Sequence, residues 1–168
     1  MREAEIKALL VDPLSNSPVV LLKDRNSNRA MPIWIGEAEA IAIAFGLQSG
    51  RFPRPMTHDL MKEIIEDLKG SVERIVISEE KEGTYYARIV LARAGGESVE
   101  VDARPSDSIA LALRIGSPIY VADKVFEDSS IESPFAEEDE FQDFVEYEMD
   151  LSEFRRPTAL DNESAEAS

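Results

Sequence analysis

The chain has no cysteine, one histidine and one tryptophan among its 168 residues. Without cysteine, neither a disulfide framework nor a thiolate metal site can form. His58 is the single histidine, so one chain can build neither a multi-histidine metal site nor a pair of histidines that relays a proton. Metal binding and proton transfer would therefore depend mainly on carboxylates.

Long apolar runs are also missing, and none approaches the length needed to cross a bilayer. Residues 1–5 lack the basic-then-apolar order of a signal peptide. We therefore expect a soluble, cytoplasmic protein without a membrane partner. The sequence has no P-loop, no Gly-x-Ser-x-Gly elbow and no dinucleotide fingerprint, so nothing in it indicates the enzymes that those motifs mark.

Basic residues are scarce towards the C-terminus, where most of the net charge of -16 arises. Residues 127–168 hold 15 of the 34 acidic residues and only two arginines, whereas residues 1–126 are nearly balanced. We predict a domain over residues 1–126 and an acidic tail over 127–168, with a possible helix at 134–154 and a disordered end. A salt-adapted host is another source of such acidity. Nucleic acid would have to bind through a local basic patch or a bridging cation.

An internal similarity organises the remainder of the chain. Residues 39–45 match residues 107–113 after a shift of 68 residues, with acid on acid, branched residue on branched residue and alanine on alanine. The same shift superimposes three predicted strands on three others, namely residues 5–11, 18–23 and 29–35 on residues 73–79, 86–91 and 97–103. We interpret this as a duplicated β-β-β-α unit, residues 1–50 and 69–117, although chance similarity remains the alternative. The predicted fold class is α+β, with mixed or antiparallel sheets around two buried helices.

The residues between the two units predict one further, amphipathic helix. Thr57 is a suitable N-cap, and the chain leaves the helix at Gly70. The apolar stripe of this helix is predicted to comprise Leu60, Met61, Ile64, Ile65 and Leu68.

The most unusual stretch is residues 102–108, with the sequence DARPSDS, at a predicted strand-to-helix corner. Pro105 disfavours a helical conformation for Arg104, so the helix can start at Pro105 with Ser106 and Asp107 in its first turn. The amides and partial positive charge of a helix N-terminus suit a phosphate or a metal-bound water. The alternative is that these side chains only cap a core helix.

Carboxylates and arginines are the available groups for chemistry. Hard cations such as Mg²⁺ prefer oxygen ligands, and arginines can neutralise a phosphate, so the composition is compatible with metal-assisted phosphodiester hydrolysis. Ordinary buried salt bridges would need the same residues, and a lone histidine after a helix cap is commonly structural.

Three segments in this order resemble the signature segments of the bifunctional nuclease domain family. They are residues 32–40, PIWIGEAEA, residues 54–60, RPMTHDL, and residues 102–112, DARPSDSIALA. The resemblance covers roughly residues 5–126. It implies an α+β fold, the combined DNase and RNase activity reported for some plant members, and self-association as a dimer or trimer.

The resemblance and the chemistry of the available residues together suggest roles for particular residues of a metal-assisted nuclease. His58, Asp59, Asp102 and Asp107 are the expected catalytic residues, and Arg54, Arg104 and Ser106 are expected to bind the nucleic acid. A Mg²⁺ or Mn²⁺ ion is expected to be held by Glu39, Asp59, Asp102 and Asp107. The rival hypothesis is a non-catalytic regulatory or assembly module that binds a protein partner through its acidic tail, and that tail could instead contact its own core or a neighbouring subunit.

Overall fold

The structure is a computed structural model that describes residues 1–49 and 52–133. The possible helix at 134–154 and the predicted disordered end lie outside the described residues, as does most of the acidic tail. No helix within the described part of the chain is long and apolar enough to span a bilayer.

The same order of elements occurs in each half of the fold. The first half comprises β1 (Arg2–Asp12), β2 (Ser17–Asp24), β3 (Arg29–Trp34) and α1 (Glu37–Leu47). After α2 (Thr57–Asp67), the second half comprises β4 (Ser71–Lys81), β5 (Thr84–Ala92), β6 (Ser98–Ala103) and α3 (Pro105–Ile115). The predicted α+β class is confirmed. The two helices begin 68 residues apart, and a common ancestry of the halves stays a prediction.

A single mixed sheet joins the two halves. Its strand order is β6-β5-β4-β7-β1-β2-β3-β8, where β7 (Ile119–Val121) and β8 (Ile131–Glu132) follow α3 in the chain. The short, apolar β7 lies at the centre, parallel to β4 and antiparallel to β1. The halves therefore share one sheet through β7, whereas the sequence predicted sheets in the plural.

Helices α1 and α3 lie buried against one another. Ala40, Ile43 and Ala44 of α1 are almost fully buried, as the alanine-rich sequence predicts. At Gly46, a Cβ atom would lie 3.0 Å from the Cβ of Leu113, so glycine allows the close approach of the two helices. This packing brings the beginning of α1 close to the beginning of α3.

Helix α2 differs from the prediction in two respects. Its N-cap is Met56 rather than Thr57, because the Asp59 carboxylate accepts a hydrogen bond from the Met56 amide at 2.9 Å. Of the predicted stripe, Met61 and Ile65 pack against the core. The other three side chains, Leu60, Ile64 and Leu68, remain substantially exposed. Helix α2 therefore packs on the core along a narrower face than its apolar pattern predicts.

The predicted domain boundary after Phe126 falls inside helix α4 (Asp123–Ser129). Beyond α4, β8 pairs with β3, and the Ser133 amide donates to the Asn28 carbonyl at 2.8 Å. Residues 127–133 are therefore part of the fold. The sequence analysis assigned these residues to the tail because of their acidic side chains, whereas β8 joins the sheet through its backbone.

Candidate functional site

The first turns of three helices converge on one cavity. Glu39 is the third residue of α1, His58 the second of α2 and Asp107 the third of α3. All three line a cavity of about 390 Å³, together with Arg104 at the N-cap of α3. Helix N-termini carry partial positive charge and free amides, so this end of the helices favours an anion.

His58 and Asp107 form a hydrogen-bonded pair. The Nε2 atom of His58 lies 3.2 Å from Oδ1 of Asp107, and the imidazole is largely buried. If Nε2 of the neutral ring donates to the carboxylate, Nδ1 is left as a proton acceptor. Asp107 can thus fix both the orientation and the tautomer of His58.

Arg104 links the two acidic corners that the internal similarity relates. Its Nε donates to Oδ2 of Asp107 at 2.7 Å, and its Nη1 donates to Oε1 of Glu39 at 2.8 Å. Burial alone would raise the pKa of the Asp107 carboxyl, but hydrogen bonds from Arg104 and His58 outweigh it and hold that pKa below its usual range. Hydrogen bonds to Asp107 and Glu39 raise the pKa of Arg104. At neutral pH the pair is therefore a carboxylate and a guanidinium ion.

Asp59 reaches the cavity only through Arg114. Its Oδ1 accepts from Nε of Arg114 at 2.7 Å, while its Oδ2 accepts from the Met56 amide. Arg114 is largely buried, donates through Nη1 to the Ala110 carbonyl at 2.7 Å and lines the cavity. Arg114 was not among the predicted site residues. A basic residue in the last turn of a helix usually stabilises the negative end of the helix dipole, so the position of Arg114 in the sequence did not indicate a role in the site.

The structure does not bring Asp102 or Arg54 to this cluster. Asp102 is exposed on β6 opposite Arg88, whereas the adjacent pair, Ala87 and Ala103, faces the core. Because side chains alternate along a strand, Asp102 points to the other face of the sheet. Arg54 is exposed in the segment before α2 and forms no ion pair with any residue that the structure describes.

A second cavity of about 470 Å³ adjoins the first and shares Glu39 and Arg104 with it. Trp34, Tyr85 and the predicted phosphate ligand Ser106 also line it. Ser106 is only 6% exposed, and its hydroxyl has no hydrogen-bond partner within residues 1–49 and 52–133. The hydroxyl is therefore available to a ligand in this cavity.

The predicted metal ligands do not form one cluster. Within the described ranges, no group of three histidine or carboxylate side chains is placed to hold a metal ion. Glu39 and Asp107 are the predicted ligands that face a common cavity, and both are paired with Arg104.

Comparison with protein families gives a match to the model described as the bifunctional nuclease domain, over residues 20–134. The matched range contains all three signature segments, the whole lining of the first cavity and, apart from Ser17, that of the second.

Curated relatives fall into two groups. An uncharacterized protein of Mycobacterium tuberculosis is 41% identical over 140 residues, which is 83% of each chain. Bifunctional nuclease 1 of Oryza sativa subsp. indica is 32% identical over 114 residues, covering 67% of this chain and 34% of the rice protein. Bifunctional nuclease 1 of Arabidopsis thaliana is 25% identical over 114 residues, with 67% and 35% covered. The chain thus spans about a third of the length of the plant relatives.

Proposed function

The chain belongs to the bifunctional nuclease domain family, and from this we propose that it hydrolyses phosphodiester bonds in DNA or RNA with low sequence specificity. The observation that carries the proposal is the continuous set of contacts from His58 through Asp107 and Arg104 to Glu39. An imidazole and a guanidinium ion therefore lie at one cavity beside three helix N-termini, which supports the proposal. Phosphodiester hydrolysis needs both groups within reach of the same phosphate.

In the proposed reaction, His58 moves the proton. With Asp107 bound at Nε2, the Nδ1 atom can accept a proton from the attacking water and later return it to the leaving oxygen. The Asp107 carboxylate stabilises the imidazolium that forms in between. Asp107 is thereby the orienting group and His58 the acid-base group.

Arg104 serves as the phosphate ligand. It is 63% exposed, and its Nη2 donates to neither Glu39 nor Asp107, so N–H groups remain for phosphate oxygens. A guanidinium ion that already borders the cavity can neutralise negative charge as it develops on the phosphate.

The proposal includes a divalent cation, Mg²⁺ or Mn²⁺, held by Glu39 and Asp107. Two carboxylates are sufficient, because Mg²⁺ commonly binds one or two carboxylates together with waters and substrate phosphates. When bound, such a cation polarises the phosphate and lowers the pKa of a coordinated water. Since Arg104 occupies both carboxylates in this structure, the guanidinium has to withdraw from at least one of them for the cation to bind.

A cleavage assay with a metal control tests the proposal. Purified protein should cut fluorescently labelled single-stranded DNA and RNA in Mn²⁺ or Mg²⁺, lose the activity in EDTA and regain it in excess Mg²⁺. Cleavage that persists in EDTA would reject the cation but not the nuclease. Absence of cleavage on both polymers with either cation would reject the nuclease.

The non-catalytic assembly module remains the second candidate, favoured by the pairing of each cluster carboxylate with an arginine. That pairing is what purely structural salt bridges would show. Calorimetric titration with Mg²⁺ and Mn²⁺, combined with the cleavage assay, separates the two hypotheses. The module is supported if neither cation binds at millimolar concentration and neither polymer is cut.

We also propose that the chain forms a homo-oligomer through α2. Leu60, Ile64 and Leu68 lie four residues apart on one exposed face and are 49%, 49% and 75% exposed. A second copy fits this face better than the chain's own residues 134–154, which contain nine acids and no lysine or arginine. The flanks of α2 are themselves slightly acidic and would repel that segment.

Light scattering should therefore show a dimer or trimer that the variant Ile64→Glu converts to monomer. Leu14→Glu is the matched control, because Leu14 is an exposed apolar residue in the β1–β2 turn and should leave the mass unchanged. A wild-type monomer, or an unchanged mass for Ile64→Glu, would contradict the proposal.

A further inference from the structure

We propose that the second cavity is a nucleotide subsite, in which Trp34 stacks on a nucleobase while Ser106 and Arg104 hold the adjoining phosphate. The inference rests on the proposed function, since it assigns the part of a nucleic-acid strand that lies next to the bond being cut. Its tests below measure binding and do not depend on cleavage.

Trp34 provides an aromatic surface that the core does not use. It is the last residue of β3 and 55% exposed, although tryptophan is usually well buried. Its indole Nε1 donates to Oδ2 of Asp12 at 3.0 Å, which anchors one edge of the ring. An anchored, exposed indole can stack on any base, because stacking requires only the π-face and no particular hydrogen-bonding edge.

Ser106 supplies a polar end to the same cavity. Ser106 is a largely buried residue whose hydroxyl has no hydrogen-bond partner among the described residues, and no side chain caps the N-terminus of α3. Pro105 occupies the first helical position and has no N–H, so Ser106 and Asp107 carry the first free amides of this helix. A hydroxyl beside free helix amides is a suitable ligand set for phosphate oxygens.

Arg104 connects this subsite to the catalytic pair. Its side chain borders both cavities, so a phosphate bound by Arg104 would be within reach of the cavity that His58 lines and of the cavity that Trp34 lines. The cavity volume of about 470 Å³ is within the usual range of small-molecule sites. One nucleotide of a strand could therefore occupy the second cavity while the next phosphate enters the first.

This arrangement predicts which form of nucleic acid binds. In a duplex each base is stacked and paired inside the helix, so it cannot place a face against Trp34 without being extruded. In a single strand, unstacking a base costs less free energy, because no base pair has to be broken. We therefore infer that the subsite selects single-stranded substrates, of DNA or RNA alike.

Intrinsic fluorescence tests the stacking directly, because Trp34 is the only tryptophan of the chain. In EDTA, the full chain should lose more than half of its tryptophan emission on titration with a single-stranded oligonucleotide, and a comparable part with AMP. Inorganic phosphate and a blunt duplex of the same length should have little effect. Quenching by phosphate alone, or equally by the duplex, would overturn the inference.

Variants test the residues. Anisotropy of a labelled single strand should show affinity reduced roughly tenfold or more for Trp34→Ala, less for Trp34→Phe and several-fold for Ser106→Ala. Tyr86→Ala is the matched control, because Tyr86 is an exposed aromatic residue on the opposite face of β5 from Tyr85. If Trp34→Ala binds like Tyr86→Ala, the subsite is wrong.

The two proposals can fail separately. Fluorescence quenching without any cleavage would reject the nuclease and leave the nucleotide subsite standing. Cleavage without quenching would reject the subsite and leave the nuclease standing.

Discussion

Replacing Asp107 with asparagine should lower the turnover number for cleavage roughly 100- to 10,000-fold while single-strand affinity changes little. Asparagine keeps the size of the side chain but presents an amide instead of a carboxylate to His58 at 3.2 Å. It can neither fix the tautomer that leaves Nδ1 free nor stabilise an imidazolium ion, and an amide is also a weaker ligand than a carboxylate for the proposed cation. The expected loss is therefore in the chemical step, measured by single-turnover kinetics at saturating protein.

His58→Gln should cause a loss of similar size, and the double variant should be little worse than either single variant. Two groups that act as one unit give strongly non-additive losses. If the double variant shows the product of the two single losses, the residues act independently and the proposed orienting role of Asp107 is wrong. Undiminished cleavage by Asp107→Asn would instead indicate a contaminating nuclease.

Asp24→Asn is the matched control for removing an arginine-bound carboxylate. Asp24 is 1% exposed and accepts hydrogen bonds from the Asn26 amide at 3.0 Å, the Ser27 hydroxyl at 2.8 Å and Arg2 at 3.1 Å. Burial raises the pKa of its carboxyl, and these hydrogen bonds more than offset that and lower the pKa overall. The variant should lose about 1–3 kcal/mol of folding stability, seen by thermal melting, yet keep its cleavage rate per folded molecule.

The pH dependence follows from the lowered pKa of Asp107. Its contribution to stability is complete above the unfolded pKa of about 3.9 and is lost as the pH falls through the lower pKa of the folded state. The carboxylate is therefore ionised throughout the neutral range. Asp107→Asn should remove this part of the acid sensitivity, visible as a flatter dependence of melting temperature on pH below about pH 4.

Local sequence signals predicted the elements that carry the site. Pro105 correctly predicted the start of α3, because the restriction that proline imposes acts on the residue directly before it. Ser106 and Asp107 accordingly occupy the first turn, as predicted. What the sequence could not give is that the two corners meet through Arg104, since this depends on how α1 packs against α3.

The residues that the sequence wrongly assigned to the site, or missed, also depend on how the chain packs. Asp102 belongs to the right motif, but the alternation of β6 turns its side chain to the opposite face, and a register shift of one residue would have reversed that. Trp34 lies far from the 102–108 corner in sequence. Arg114 lies near it but has the ordinary structural role of a basic residue in the last turn of a helix. Only the packed fold shows that both border the cavities.

The second large effect is expected at Arg104, where Arg104→Gln should weaken single-strand binding roughly 10- to 100-fold. A charged hydrogen-bond donor to a phosphate contributes about 1.5–3 kcal/mol, and glutamine retains only a neutral donor. The slope of log affinity against log salt should fall by about one, because one fewer phosphate is neutralised. Arg88→Gln is the control, since Arg88 is an exposed arginine paired with Glu100 at 2.7 Å on another part of the sheet.

The same substitution should have the opposite effect on the cation. Arg104 holds Glu39 at 2.8 Å and Asp107 at 2.7 Å, which are the oxygens proposed to bind Mg²⁺ or Mn²⁺. Because a guanidinium ion and a divalent cation compete for these carboxylates, Arg104→Gln should bind Mn²⁺ about fivefold more tightly by calorimetry, the size expected for losing two largely solvent-exposed ion pairs. Tighter cation binding together with weaker strand binding is a combination that general unfolding cannot produce. If Mn²⁺ affinity falls or stays equal to that of Arg88→Gln, the two carboxylates are structural partners of Arg104 and the cation binds elsewhere or not at all.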